Sequence, residues 1–151
     1  MKILMVCLGN ICRSPLAEGI MKEKITKKGL DWEVDSAGTG SWHVGELPDP
    51  RSILKAKENG IDITDQNARQ FQKSDLDSFD LILAMDSSNY NDINRLTTND
   101  DHRNKVQLIM NFVKPGFNQN VPDPYWDDDG FEKVFQMLDL ACDKIIEKYA
   151  S

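Results

Sequence analysis

The chain is expected to fold as an α/β protein, a three-layer sandwich with a central four-stranded parallel sheet and helices on both faces. Two observations predict it, and a third sets its scale. Short apolar runs alternate along the chain with stretches of helical spacing, the pattern of βαβ units. The runs are continuously apolar rather than alternating with polar residues, as in strands covered on both faces. A length of 151 residues suits one domain, residues 1–151, with a single substantial core.

The elements follow in order. Ile3, Leu4, Met5 and Val6 read as a first buried strand. Ser14 then Pro15 fits an N-cap with proline at the first helical position, opening a helix to about Lys28. Its apolar face is Leu16, Ala17, Ile20, Met21, Lys24 and Ile25, and Gly29 ends it. Trp32 to Ala37 reads as a second strand and Gly38 to Leu47 as a loop. Asp49-Pro50 starts a helix running toward Asn59-Gly60. Leu81 to Ala84 is a third strand, and Asp86 or Ser87 caps a helix reaching about Thr97. Val106 to Met110 supplies the fourth strand. Asn111 to Asp128 is a long loop with three prolines, a length that in compact domains is usually functional or disordered. The last helix, about Gly130 to Tyr149, carries Phe131, Val134, Phe135, Leu138, Cys142, Ile145 and Tyr149 at helical spacing. Asp127, Asp128 and Asp129 read as an acidic collar on its N-terminus.

The segment Cys7-Leu8-Gly9-Asn10-Ile11-Cys12-Arg13-Ser14 lies between the first strand and the first helix. A strand, a short loop and a helix start make an anion cradle, because unpaired amides and the helix dipole point into the loop. Leu8, Gly9, Asn10, Ile11, Cys12, Arg13 and Ser14 are therefore expected to bind phosphate, with Cys7 as a nucleophile at the lip. A thiol attacks as thiolate, and loop amides, helix N-terminus and Arg13 all favour that form. Arg13 can hold two phosphoryl oxygens at once. Gly9 permits φ > 0, and Asn10 tolerates it better than most residues. In parallel sheets ligands bind beyond the C-terminal strand ends where strand order reverses, which is where this loop begins.

A net charge of −7 and a pI near 4.8 argue against nucleic acid or an anionic membrane as partner. No stretch approaches a membrane span, and the N-terminal apolar run is too short for a signal peptide. Three cysteines, an odd number, do not suggest a secreted disulfide framework, so a reducing cytoplasm is expected. Cys7 and Cys12 are too few for a structural zinc site, and no metal or cofactor is expected.

Asp123, between Pro122 and Pro124 in the long loop, can protonate a leaving oxygen, although Asp-Pro is equally turn chemistry. Trp42, Tyr125 and Trp126 could line a cleft mouth for a flat ring or pack against the domain. Cys142 falls on the apolar face of the last helix and reads as core. The Cys12 thiol could trap an oxidised Cys7 as a disulfide.

These residues resemble the low-molecular-weight protein tyrosine phosphatases. The resemblance rests on CLGNICRSP, Asp35-Ser36-Ala37, Ala68-Arg69-Gln70, Met85-Asp86 with Asn89, and Asp123-Pro124-Tyr125, in family order and spacing along essentially the whole chain. It implies hydrolysis of phosphotyrosine in proteins, or of aryl phosphates, through a phosphocysteine, with inorganic phosphate as product and a monomeric enzyme. Cys7 would be the nucleophile, Arg13 the phosphate clamp and Asp123 the general acid. Ser14 would stabilise the departing sulfur, Asn10 and Ser36 would orient the loop, and Cys12 would be the redox partner of Cys7. Trp42, Tyr125 and Trp126 would flank the substrate ring. Gln66 stands where many members carry a histidine bonded toward the loop asparagine.

Three rivals belong beside this reading. Thiol-dependent arsenate reductases need further redox cysteines near the third strand, and Ile82 to Asn89 contains none. Protein-arginine phosphatases of the family tend to have threonine where Ile11 stands. A non-catalytic phosphate- or phosphotyrosine-binding module would not need both Cys7 and Asp123.

Overall fold

A strand buried on both faces must feed two cores, since successive side chains point to opposite sides of a sheet. The computed structural model, which describes residues 1–126 and 129–150, shows the first strand doing this. In chain order the elements are β1 (Lys2–Cys7), α1 (Arg13–Lys28), β2 (Glu33–Gly38), α2 (Pro50–Glu58), α3 (Asp75–Ser78), β3 (Leu81–Ala84), α4 (Ser87–Asn94), α5 (Asp100–Lys105), β4 (Val106–Leu108) and α6 (Gly130–Tyr149). Ile3, Met5 and Cys7 join a core with α1 and α6, while Leu4 and Val6 join one containing Leu76 and Ile93 from α3 and α4. In β3, Leu81 and Leu83 face the first core and Ile82 and Ala84 the second. This is the three-layer sandwich the apolar runs predict.

All pairings are parallel and the strand order is β2-β1-β3-β4. The chain leaves β1 toward one side to form β2, then crosses back to place β3 on the other side. The crevice between those departures opens at the C-terminal end of β1, and Cys7 is its last residue.

The boundaries differ from expectation in instructive ways. Helix α1 starts at Arg13, two residues early, with Cys12 at the N-cap and no side-chain cap bond. Ser14 lies inside the first turn, its hydroxyl engaged by Cys7 and Asn10 rather than by the helix amides. The other end is as expected: Gly29 adopts φ 65° and Leu30 N–H bonds the Ile25 carbonyl. Strand β4 stops at Leu108, because its ladder partner β3 ends at Ala84; Ile109–Phe112 then tightens into a 3-10 turn. The short helices α3 and α5 have no periodicity long enough to announce them. Of the acidic collar, Asp127 and Asp128 lie outside the described residues, and Asp129 occupies the α6 N-cap position without a side-chain cap bond. Tyr149, read as part of the α6 apolar face, is partly exposed and tilts against Phe112 at 6.1 Å between ring centroids. Among the described residues no helix is long and apolar enough to cross a membrane.

Candidate active site

The loop after β1 turns at Asn10, whose φ is 57°, one of the two adjacent residues expected to allow a positive φ; Gly9, the other, is not in the left-handed region. An amide side chain there earns its place by bonding. Asn10 Nδ2 donates to Ser14 Oγ at 2.8 Å and to Ser36 Oγ at 3.0 Å, and Oδ1 accepts the Arg69 N–H at 3.0 Å. Ser36 in turn donates to Glu18 Oε1 at 2.6 Å, and Lys22 binds the other carboxylate oxygen. The polarity of the chain follows from its ends. A carboxylate only accepts, so the Ser36 proton goes to Glu18 and its oxygen takes a proton from Asn10. Ser14 likewise accepts from Asn10 and can turn its own proton toward Cys7 Sγ, 3.0 Å away. The Asn10 amide also donates to that sulfur, at 3.3 Å. The network thus aims two donors at the sulfur of Cys7, a residue only 2% exposed. Burial raises the Glu18 carboxyl above its ordinary value, opposed by its bonds from Lys22 and Ser36.

The loop rests on the end of β2. Thr39 N–H donates to the Cys7 carbonyl at 2.9 Å and Gly40 N–H to that of Leu8 at 2.8 Å. Gly38 makes this approach possible: a Cβ there would sit 2.8 Å from the Leu8 carbonyl oxygen and 3.0 Å from the Asn10 nitrogen. From the other side Asp49 N–H donates to the Ile11 carbonyl at 2.8 Å.

Arg13 is 3% exposed. Its Nη1 donates to Asp86 Oδ2 at 2.7 Å and to the Val121 carbonyl at 2.9 Å. Among the described residues its hydrogen bonds all run through Nη1, so Nε and Nη2 remain to take two oxygens of a ligand. Burial opposes the guanidinium charge, but Cys7, Asp86 and Asp123 outweigh it and hold the group firmly protonated. Val121 N–H bonds the Met85 carbonyl at 2.8 Å, which ties the long loop to the end of β3. Two residues on, Asp123 Oδ1 accepts the Tyr125 N–H at 3.0 Å and opens the 3-10 turn Pro124–Trp126. Its other oxygen lies 3.9 Å from Arg13 Nη2. Asp123 is therefore a turn residue, as one of the sequence alternatives had it, and its carboxylate also faces the Arg13 guanidinium.

These parts converge on one cleft of about 280 Å³. Cys7, Leu8, Gly9, Ile11, Cys12 and Arg13 line it, together with Trp42, His43, Asp123, Tyr125 and Trp126. Trp42 and Trp126 are 72% and 85% exposed, so they stand at the mouth rather than packing into the core. Asn10, Ser14 and Ser36 lie buried behind the loop. Cys12 shares the cleft at 5% exposure, and its thiol is pushed up to about 12 by burial, with Asp49 and Cys7 adding to the effect. Cys142 is wholly buried in the core. Gln66 donates to the Pro15 carbonyl at 3.1 Å instead of turning to Asn10, and its Oε1 has no hydrogen-bond partner among the described residues. No group of three or more His, Cys, Asp or Glu among them could hold a metal ion.

Sequence reasoning missed His43, the partnership of Asp86 with Arg13, and the Glu18–Lys22 end of the network. Asp86 carried a signal, read as a helix cap and as part of the family pattern but not as a partner of Arg13; it does cap α4 through the Asn89 N–H at 2.8 Å. Glu18 and Lys22 are spaced i,i+4 like any surface pair, and nothing local marks Glu18 as buried.

Similarity to known proteins runs along essentially the whole chain. The family model for low molecular weight phosphotyrosine protein phosphatases matches residues 2–150. A low molecular weight phosphotyrosine protein phosphatase of Schizosaccharomyces pombe is 45% identical over 145 residues, 93% of this chain and 92% of that protein. A crystal structure of a protein tyrosine phosphatase from Entamoeba histolytica superposes with a TM-score of 0.93 at 37% identity, covering 99% of this chain and 97% of the other. A Drosophila arginine phosphatase superposes equally well, with a TM-score of 0.93 at 34% identity over 100% of this chain and 99% of its own.

Proposed function

Because the chain belongs to the low molecular weight phosphotyrosine protein phosphatase family and is a phosphatase, we propose that it hydrolyses phosphotyrosine and small aryl phosphates through a phosphocysteine on Cys7. The observation that carries this reading is the convergence of Cys7, Arg13 and Asp123 on one cleft, with Asp123 3.9 Å from the guanidinium.

In the first step the Cys7 thiolate attacks phosphorus in line with the bond to the aryl oxygen. Arg13 Nε and Nη2 and the loop amides hold the nonbridging oxygens, where charge is greatest as the bond breaks. Asp123 gives its proton to the leaving oxygen. In the second step Asp123 takes a proton from water, which attacks the phosphocysteine, and inorganic phosphate leaves. Ser14 Oγ and the Asn10 amide stabilise the sulfur as it regains its charge. Each role in both steps is filled by a side chain or amide of this chain. Peroxide would convert Cys7 to a sulfenic acid, which the Cys12 thiol condenses with to give a disulfide and water; dithiothreitol reverses it. We take the working form to be a monomer in the cytoplasm.

The kinetic test uses Cys7→Ser and Asp123→Asn. Cys7→Ser should abolish turnover of para-nitrophenyl phosphate while still binding vanadate; substantial residual turnover would remove Cys7 from its role. Loss of a general acid typically costs about 10²–10⁴-fold, concentrated on poor leaving groups.

The structural likeness to an arginine phosphatase makes phosphoarginine the second substrate to try. Ile11, an apolar lining residue, favours the flat aryl ring over a guanidino group. Comparable kcat/KM on phosphoarginine and phosphotyrosine peptides would reverse that preference. A module that only binds phosphate would give no turnover at all.

A further inference from the structure

Arg51 has no part in the two steps above, yet it joins the phosphate loop to the segment that carries Asp123. It is the second residue of α2, and Asp49, the N-cap of that helix, holds it in a fork. Asp49 Oδ1 accepts from Arg51 N at 2.8 Å and from Nε at 3.0 Å, and Oδ2 accepts from Nη2 at 2.9 Å. Asp49 is itself anchored to the loop through the Ile11 carbonyl, so the guanidinium plane is set relative to the cradle. Its central carbon lies 4.8 Å from the centroid of Phe131 and 5.5 Å from that of Tyr125. Phe131 is the second residue of α6, and Tyr125 lies in the 3-10 turn that follows Asp123.

Asp123 needs such support. Its carboxylate is 37% exposed and 3.9 Å from Arg13, beyond hydrogen-bond reach. The bond that orients it comes from the Tyr125 N–H, so its height above Cys7 is set by wherever the turn sits. The neighbour stacked edge-on against Tyr125 is Trp126, at 4.8 Å, and at 85% exposure that ring anchors nothing. Arg51 is the fixed, charged surface against which the Tyr125 ring rests.

We propose that Arg51 is a positioning residue for the general acid, holding Asp123 over the leaving oxygen through the Tyr125 ring. The proposal rests on Asp123 acting as the acid, and its test separates the two. Wild type, Arg51→Met, Arg51→Lys, Asp123→Asn and the Arg51→Met/Asp123→Asn double variant are assayed on phenyl phosphate, whose leaving group needs a proton, and on para-nitrophenyl phosphate, which needs it far less. The readout is the ratio of the two kcat/KM values, which does not depend on the fraction of protein folded. A cation–π contact of ordinary strength predicts a loss of about three- to tenfold on phenyl phosphate for Arg51→Met, with less than about twofold on the nitrophenyl ester. Arg51→Lys keeps a cation over the ring and should recover part of the loss. In the Asp123→Asn background Arg51→Met should leave the ratio unchanged. Vanadate inhibition of Arg51→Met should stay within about twofold of wild type, because the cradle is untouched. Equal losses on both substrates for Arg51→Met, beside a selective Asp123→Asn, would overturn the role of Arg51 alone. An Asp123→Asn variant with no selectivity would overturn the acid assignment and Arg51's role with it.

Discussion

Replacing Asn10 by alanine removes three buried hydrogen bonds at once: two donated to Ser14 and Ser36, and one accepted from the Arg69 amide. At about 1 kcal/mol net for each, their loss costs about 3 kcal/mol. The residue also sits at φ 57°, where an L-residue with no locally bonding side chain loses roughly a further 1 kcal/mol. Asn10→Ala should therefore destabilise the protein by about 4 kcal/mol, a large share of the roughly 5–15 kcal/mol typical of a domain. Asn10→Gly loses the same three bonds but meets no clash at positive φ, so it should cost about 3 kcal/mol. Urea denaturation of both variants and wild type, fitted with a shared m value, measures the two terms separately. A cost below about 1 kcal/mol for Asn10→Ala would mean the network does not hold the loop. Identical costs for the alanine and glycine variants would mean the backbone strain has been misread.

Gly38→Ala would drive a methyl group against the Leu8 carbonyl and the Asn10 nitrogen, both backbone and unable to swing aside. A loss of about 1–3 kcal/mol and weaker vanadate binding are expected; wild-type affinity would show that the loop can yield. Cys12, buried and pushed up to about 12, stays protonated at neutral pH. If Cys7 is the nucleophile, iodoacetamide at pH 7 should alkylate it and spare the protonated Cys12 and the core thiol Cys142, and peptide mass mapping that finds Cys12 modified as fast would contradict its raised pKa. The raised Glu18 carboxyl binds its proton more tightly in the folded protein than in the unfolded chain, where its ordinary value is 4.5. Its contribution is complete below that pH and is lost as pH rises through the raised folded value. The stability of wild type relative to Glu18→Gln should fall over that window, and a flat difference in pH-dependent melting would argue that Lys22 and Ser36 fully offset the burial.

The legible parts of the site were those whose chemistry is local. Cys7, the turn at Asn10 and Arg13 fall within one short segment, and the apolar run before it already implies a strand feeding a loop. Even there the division of labour between Gly9 and Asn10 stayed open: Asn10 takes the positive φ, because its amide gains three bonds by doing so. Ser14 read as a cap because a serine before a proline usually is one. Its hydroxyl instead faces a sulfur seven residues back, a contact that only the family resemblance, not the local pattern, implied. Strand β4 was overextended for a similar reason, since the length of a strand depends on where its neighbour stops.

The amino-acid sequence by itself determined the layering of the fold and singled out Cys7 and Arg13 as the proposed nucleophile and phosphate clamp, because hydrophobic period, turn preference and side-chain chemistry are short-range properties. Tertiary structure decided which further groups complete them: Asp86 and the Val121 carbonyl on Arg13, Glu18 behind Ser36 and Asn10, and Arg51 beneath the turn that carries Asp123. All of them but Glu18 lie far from the loop along the chain. Parallel crossovers bring them together at the C-terminal edge of the sheet, and only there can a buried donor find the acceptor it requires.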